Sequence, residues 1–225
     1  RTALEDADLP FEICYDLRPE TVPVEVYPVF WEVEVSPGFL VASRRHALFL
    51  NDRPSMGRAS RLVDSITLDD FGGGYAAAEL LADVYGCRQL AVLGGPEWDR
   101  RSRERIRGFR ARAENVAEVH AGHWGEALSQ NVLNALFRFS PDGVFCANDR
   151  LAARLKQAYA QTRQKMPVLI GFDNAPISAE ERLTTIAIPW DVLVTEAVAI
   201  IRRRIDGYCD PGRHRVLTCE EVIRN

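Results

Sequence analysis

Gly143-Val144-Phe145-Cys146-Ala147-Asn148-Asp149 is a short apolar run closed by two polar residues that favour helix starts. Five apolar positions without alternation suit a strand covered on both faces of a sheet. Asn148 or Asp149 then offers a side-chain oxygen to the orphan amides of a helix over 150–160. Val168 to Phe172 is the next apolar run. Strand, helix and strand in that order predict a parallel pair joined by a crossover helix.

The same unit repeats outward in both directions. Upstream, Gln89 to Leu93 ends at Gly94-Gly95 as a buried strand, followed by an arginine-rich helix over 101–113 and a strand from Val116 to His120. A helix over 125–138 places Leu128, Val132, Ala135, Leu136 and Phe139 at spacings of three and four. Further upstream, Val63 to Thr67 alternates as a strand, and Asp69 or Asp70 with glycines 72–74 opens a helix from Tyr75 to Tyr85. Downstream lie a strand from Thr184 to Ile188, a helix over 190–206 with Val194, Ala197, Val198, Ile201 and Ile205 on one side, and the short runs Val216 to Thr218 and Val222-Ile223. The predicted class is α/β, with parallel sheets and helices on both faces. The first fifty residues differ. Leu9 to Asp16 reads as a helix end running into a strand, and 38–42 and 47–50 read as strands. Val22 to Val35 has no helical period and is expected to be extended or irregular.

A chain of 225 residues can bury the core of one large domain or of two lobes of about a hundred residues each. Its formal charge of −4 gives the chain as a whole no electrostatic footprint for nucleic acid or anionic membrane. It has no apolar stretch long enough for a membrane span, and no signal-peptide pattern opens it. The five cysteines stand singly, without CxxC spacing, so neither a disulfide framework nor a zinc site is expected. A reduced, cytoplasmic protein is expected.

Ligands of open α/β sheets bind outside the carboxyl ends of the strands, which points to Asn51, the stretch Gly94 to Trp98, Asn148 and Asp173. Gly72-Gly73-Gly74 lacks the Lys-Ser/Thr of a phosphate loop and reads as a tight entry into a helix. Arg101 and Arg105, four apart, share a helix face near a strand end and offer donors to an anionic or polyhydroxyl ligand. One member of the Asn148-Asp149 pair is expected to cap the helix and the other to face the ligand. Asp173 can accept hydroxyl hydrogens, and Trp124 and Trp190, at element boundaries, suit the apolar faces of a sugar. No GxSxG, HExxH or metal-spaced histidine set appears, so no catalytic residue, metal or cofactor is assigned.

Asp64 to Asp69 before the glycines, Leu93-Gly94-Gly95-Pro96, Ser102 through Arg105 to Gly108-Phe109, Val144 to Asp149, Ile170 to Asn174 and Leu183-Thr184-Thr185-Ile186 occur in the order of the effector domain of LacI/GalR transcription regulators. The tail from Val216 to Arg224 also resembles that family's last strand. The resemblance runs from about residue 38 to the end. It implies two Rossmann-like lobes of the periplasmic-binding-protein-like type I, joined by three crossovers near Leu68, Ile188 and Cys219. The N-lobe is then 1–67 plus 190–218 and the C-lobe 69–187 plus 220–225. Arg105, Asn148, Asp173, Trp124, Trp190 and Asn51 take the positions of effector contacts. The implied partners are a small effector (a sugar, sugar acid or sugar phosphate) and a second copy of the chain in a homodimer. DNA would be reached only through an N-terminal head outside this sequence, and the N-lobe is expected to lack its first strand and helix. In the family, effector binding changes the angle between the lobes and so the spacing of two DNA-binding heads. A periplasmic sugar-binding protein of a transporter is the alternative, and a sugar-acting enzyme would need an acid–base pair that the sequence does not offer.

Overall fold

Two sheets collect the strands of the described residues. The computed structural model describes residues 2–12, 26–31, 46–51, 61–124 and 127–224. The chain divides into two compact units, Arg1–Leu68 with Pro189–Leu217 and Asp69–Ile188 with Thr218–Asn225. It passes between them three times, after Leu68, Ile188 and Leu217.

In the first unit, β1 (Val29–Trp31), β2 (Ala47–Leu50), β3 (Val63–Leu68) and β9 (His214–Leu217) form a parallel sheet in the order β1-β2-β3-β9. Helix α1 (Thr2–Asp6) precedes it, and the long helix α7 (Trp190–Ile205) packs against β2 and β3. Part of the segment expected to be extended or irregular is extended, as strand β1, while the predicted strand at 38–42 lies outside the described residues. Helix α7 buries Leu193, Ala197, Ile200 and Ile201 and leaves Val194 and Ile205 exposed. The apolar face is thus turned by one position from the expected one. Apolar residues spread over several faces of its first three turns, so their period alone does not choose one.

A polar network closes the amino-terminal side of this sheet. The Asp64 carboxylate on β3 is fully buried and receives Arg204 in a two-pronged pair, Nε at 2.8 Å and Nη2 at 3.0 Å. The Tyr27 hydroxyl donates to the same carboxylate at 2.9 Å and the Arg213 amide at 2.8 Å. Burial, together with the adjacent carboxylate, pushes the Tyr27 phenol far above its ordinary range. Arg204 also donates to the carbonyls of Tyr208 and Asp210, both at 2.9 Å, and so pins the loop between α7 and β9.

The second unit is a six-stranded sheet in the order β10-β8-β7-β6-β4-β5. Its members are β4 (Leu90–Gly94), β5 (Ala117–His120), β6 (Gly143–Cys146), β7 (Val168–Asp173), β8 (Thr184–Ala187) and β10 (Glu220–Val222), which runs antiparallel to β8. The other neighbours are parallel. Val144 and Cys146 face a cluster with Leu151, Leu155 and Tyr159 of α5 (Asp149–Ala160). Phe145 faces the other way, stacking on Phe109 of α3 (Arg100–Arg112) at 5.3 Å. Burial on both faces is what the unalternating run at 143–147 predicts. Helix α4 (Gln130–Phe139) starts later than expected because Ser129, not a residue near 125, caps it. The short α6 (Pro176–Glu180) follows β7.

The glycines 72–74 do not form an entry loop. Helix α2 (Asp70–Glu79) already contains them, capped by Asp69, whose side chain accepts from the Gly72 amide at 2.8 Å, and it continues as a π-helical turn, Leu80–Val84. Their role is close packing. A Cβ on Gly74 would stand 1.9 Å from the Arg105 carbonyl oxygen, and one on Gly108 1.9 Å from that of Phe71. Helices α2 and α3 therefore meet backbone to backbone, which brings Asp70 and Arg105 together.

Candidate functional site

The carboxyl end of β7 carries a polar cluster that joins two of the sequence candidates, Arg105 and Asp173. Asp173 closes the strand with φ +105° and Asn174 follows at φ +55°. Two successive non-glycine residues in the left-handed half are strained, and such strain clusters at functional positions. The Asp173 carboxylate accepts from Arg105 Nη1 at 3.1 Å. Arg105 is buried, and its Nε donates to Asp70 at 2.8 Å and its Nη1 to the Ala147 carbonyl at 2.6 Å. Its guanidinium lies over the Phe172 ring, 3.6 Å from the centroid. One cation thus serves two carboxylates, so the cluster is rich in acceptors. Burial pushes the Asp173 carboxyl above its ordinary range while Arg105 pulls it back. Asp173 is 30% exposed against 4% for Arg105, so the carboxylate is the group a solute meets first.

Arg101 acts electrostatically on Asp173, as Arg105 does, and it has a carboxylate partner of its own. Its Nη2 pairs at 2.9 Å with Asp99, the residue that caps α3 by accepting from the Ser102 amide at 3.1 Å. Trp124 Nε1 donates to the same carboxylate at 3.2 Å, and the Trp124 ring covers Gly95 so closely that a Cβ there would meet it at 2.4 Å. Burial raises the Asp99 carboxyl, but Arg101 and the Ser102 amide outweigh it and hold the group below the usual carboxylate range. A guanidinium already balanced by its own cap no longer argues for an anionic ligand.

Asn148 and Asp149 both turn inward. Asn148 Oδ1 caps α5 by accepting from the Leu151 amide at 2.8 Å. The expectation that the other residue faces a ligand fails. Asp149 is fully buried and accepts from Thr185 Oγ1 at 2.6 Å and from the Ala175 amide at 2.7 Å. It is a staple between α5, β8 and the turn after β7. Burial pushes its carboxyl up to about 6. In the folded state it therefore holds a proton over a pH range where the unfolded chain has released it. Its ionisation costs stability above pH about 6 and nothing below about 4, a span worth on the order of 3 kcal/mol. In urea titrations at several pH values, the stability of the parent relative to Asp149→Asn should fall by about that amount between pH 4 and 7. A difference that does not change with pH would show that Asp149 is not the titrating group.

In the first unit, Asn51 follows β2 in the left-handed conformation at φ +58°, is buried, and donates its amide to the Ile66 carbonyl at 2.8 Å. Trp190, the first residue of α7, is half-exposed and stacks on Trp31 at the end of β1, with centroids 5.8 Å apart and planes 20° apart. The structure thus joins Arg105 directly to Asp173 and, through the Ala147 carbonyl, to the strand end that Asn148 follows. Arg101 and Trp124 form a second group around Asp99 in the same unit, while Asn51 and Trp190 belong to the other unit. Sequence reasoning assigned Asp70, Phe172 and Trp31 no place at the site. Asp99 had a local signal, an Asp three residues before Ser102 at a helix start, whereas the Asp70–Arg105 pair spans 35 residues and had none. Among the described residues, no group of three or more His, Cys, Asp or Glu is placed to hold a metal ion, and no helix is long and apolar enough to cross a membrane.

A family model described as "Periplasmic binding protein-like domain" matches residues 78–225. By sequence, the chain is similar to the HTH-type transcriptional regulator DegA of Bacillus subtilis, 28% identical over 196 residues that make up 80% of this chain and 55% of that protein. It is also similar to the HTH-type transcriptional repressor PurR of Photobacterium profundum, 29% identical over 182 residues, 75% of this chain and 54% of the repressor. The chain thus spans about half the length of these curated relatives. Its fold is similar to that of a LacI family transcriptional regulator from Enterococcus faecalis with bound ribose, with a TM-score of 0.81 and 21% identity, over 99% of this chain and 89% of the other. It is also similar to the transcriptional regulator CelR in complex with cellobiose, with a TM-score of 0.71 and 18% identity, over 87% and 64% of the two chains.

Proposed function

The chain belongs to the periplasmic binding protein-like domain family, and on this basis we propose that it is the effector-sensing part of a LacI-type transcription regulator, binding a neutral, sugar-sized polyhydroxyl compound. The observation that carries the proposal is the Arg105–Asp173 pair on strained backbone at the carboxyl end of a parallel strand. Open α/β sheets bind ligands at that end. A partly exposed carboxylate, kept oriented by a buried guanidinium, accepts two hydroxyl hydrogens with little reorganisation. Arg105 is matched by two carboxylates and Arg101 by Asp99, which favours a donor-rich neutral ligand over a sugar acid or sugar phosphate.

The remaining candidates fit the same reading. Trp124 offers a flat apolar face within the second unit, and Trp190, backed by Trp31, offers one in the first. Asn51 and Asn148 act through their positions at strand ends. The protein senses and does not catalyse, in the cytoplasm, as a homodimer, and DNA is reached through a head domain of the regulator. Regulators, rather than transport proteins, among the sequence relatives favour this over the transporter alternative.

A thermal-unfolding screen tests the proposal, since a ligand at 100 times its dissociation constant adds about 2.7 kcal/mol of stability. D-ribose, cellobiose and other neutral sugars make up one arm, and D-ribose 5-phosphate and sugar acids the other. At least one neutral sugar should raise the midpoint. A response to the phosphates and acids alone would reverse the assignment of ligand charge. Sedimentation velocity at micromolar concentration decides the homodimer, and a purely monomeric chain would remove it.

A further inference from the structure

The strained pair Asp173–Asn174 needs an explanation for its persistence, because backbone in this region holds only where its surroundings over-determine it. Besides the nearby Ser178 hydroxyl, three clamps from elsewhere in the chain surround it. Arg105 holds the Asp173 carboxylate, and Asp149 Oδ2 accepts from the Ala175 amide on the far side of the turn. The third clamp comes from the tail of the chain. Arg224 Nη2 donates to Asn174 Oδ1 at 2.6 Å, while its Nη1 donates to the Leu183 carbonyl at 2.8 Å and to Ser178 Oγ at 3.2 Å. The Arg224 main chain is itself fixed, its amide donating to Thr184 Oγ1 at 3.1 Å and its carbonyl accepting from that hydroxyl at 3.2 Å.

One guanidinium therefore spans Asn174, helix α6 and the start of β8. It does so from β10's end, seven residues past Leu217, where the chain makes its third passage between the units. The turn's local tie is Ser178, whose hydroxyl donates to Asn174 Oδ1 at 3.3 Å and to the Ala175 carbonyl at 2.8 Å, whereas the tail reaches it from far along the chain. Asn174 and Arg224 are 50 positions apart. A planar fork reaching separate acceptors through two nitrogens is a task for Arg and not for the compact ammonium of Lys.

We propose that Arg224 is a positioning residue: it holds the Asp173–Asn174 turn in the conformation that pairs Asp173 with Arg105, and it ties that turn to the chain segment leaving the third passage between the units. Its consequence for effector affinity rests on the reading of Asp173 as an effector contact. A ligand that engages Asp173 then acts on a turn whose geometry the tail co-determines, so the tail and the ligand site are linked.

Amide hydrogen exchange of the sugar-free protein, read by NMR at Ala175 and Ser178, tests the clamp. Both amides are bonded inside the turn, to Asp149 Oδ2 and to the Ala175 carbonyl. In Arg224→Ala they should exchange about tenfold faster or more, while the amides of β6 keep the parent rates, the signature of local and not global opening. Arg224→Lys should recover only part of the protection. Asn174→Ala, which removes the acceptor and leaves Arg224 in place, should accelerate the same two amides, and combining it with Arg224→Ala should add little. Unchanged exchange in Arg224→Ala, or an increase spread evenly over the sheet, would overturn the proposal. The sugar that stabilises the parent should bind Arg224→Ala about tenfold more weakly or worse, and equal affinity would break the link to the ligand. If no sugar stabilises the parent, the effector reading fails, while the exchange data still decide the clamp.

Discussion

Arg204→Ala should lower the unfolding free energy by about 3–5 kcal/mol, the range for removing one partner of a buried ion pair. The Asp64 carboxylate is fully buried, Arg204 is 3% exposed, and the pair is two-pronged. Removing the guanidinium leaves a charge in the core whose remaining partners among the described residues are the Tyr27 hydroxyl and the Arg213 amide. The carbonyls of Tyr208 and Asp210 lose a donor as well, so the loop before β9 loosens. Trp31 and Trp190 lie in the same unit and report its unfolding by fluorescence. A urea midpoint within experimental error of the parent would show that the network does not hold this unit together.

Gly108→Ala should also destabilise, by about 3 kcal/mol, although alanine favours a helix interior over glycine by about 1 kcal/mol. The added methyl group would stand 1.9 Å from the Phe71 carbonyl oxygen, and a main-chain oxygen in a helix cannot swing aside as a side-chain end can. The two helices must separate, which also pulls Arg105 away from Asp70. For a chain of this size the loss corresponds to roughly 6–12 °C in the melting midpoint. Calorimetry that finds Gly108→Ala as stable as the parent would disprove the backbone contact.

The architecture was legible where periodicity and punctuation agree. The runs at 90–94, 143–146 and 168–173 are strands, and of the side chains that cap the helices between them the sequence pointed to Asn148 but not to Asp99 or Ser129. Glycines misled, because the residue that permits a turn also permits two helices to touch, and only the partner helix decides which. The apolar face of α7 was misjudged for a similar reason. At the site, position along the chain placed Asn148 and Asp173 at or just after strand ends and Arg105 on the helix that follows one, but their partners were out of reach. Whether an arginine is available to a ligand depends on carboxylates placed by the fold, and the pairing of Arg101 with Asp99 and of Arg105 with Asp70 is what the proposal of a neutral ligand rests on.

Calorimetric titration of the parent, Asp173→Ala and Arg101→Ala with the neutral sugar that best stabilises the parent tests the central claim most directly. Asp173 would supply charge-assisted hydrogen bonds worth about 1.5–3 kcal/mol each, so Asp173→Ala should bind roughly ten- to a hundredfold more weakly or not at all. Arg101→Ala should bind like the parent, since its guanidinium serves Asp99. An Asp173→Ala protein that binds the sugar as tightly as the parent would contradict the account.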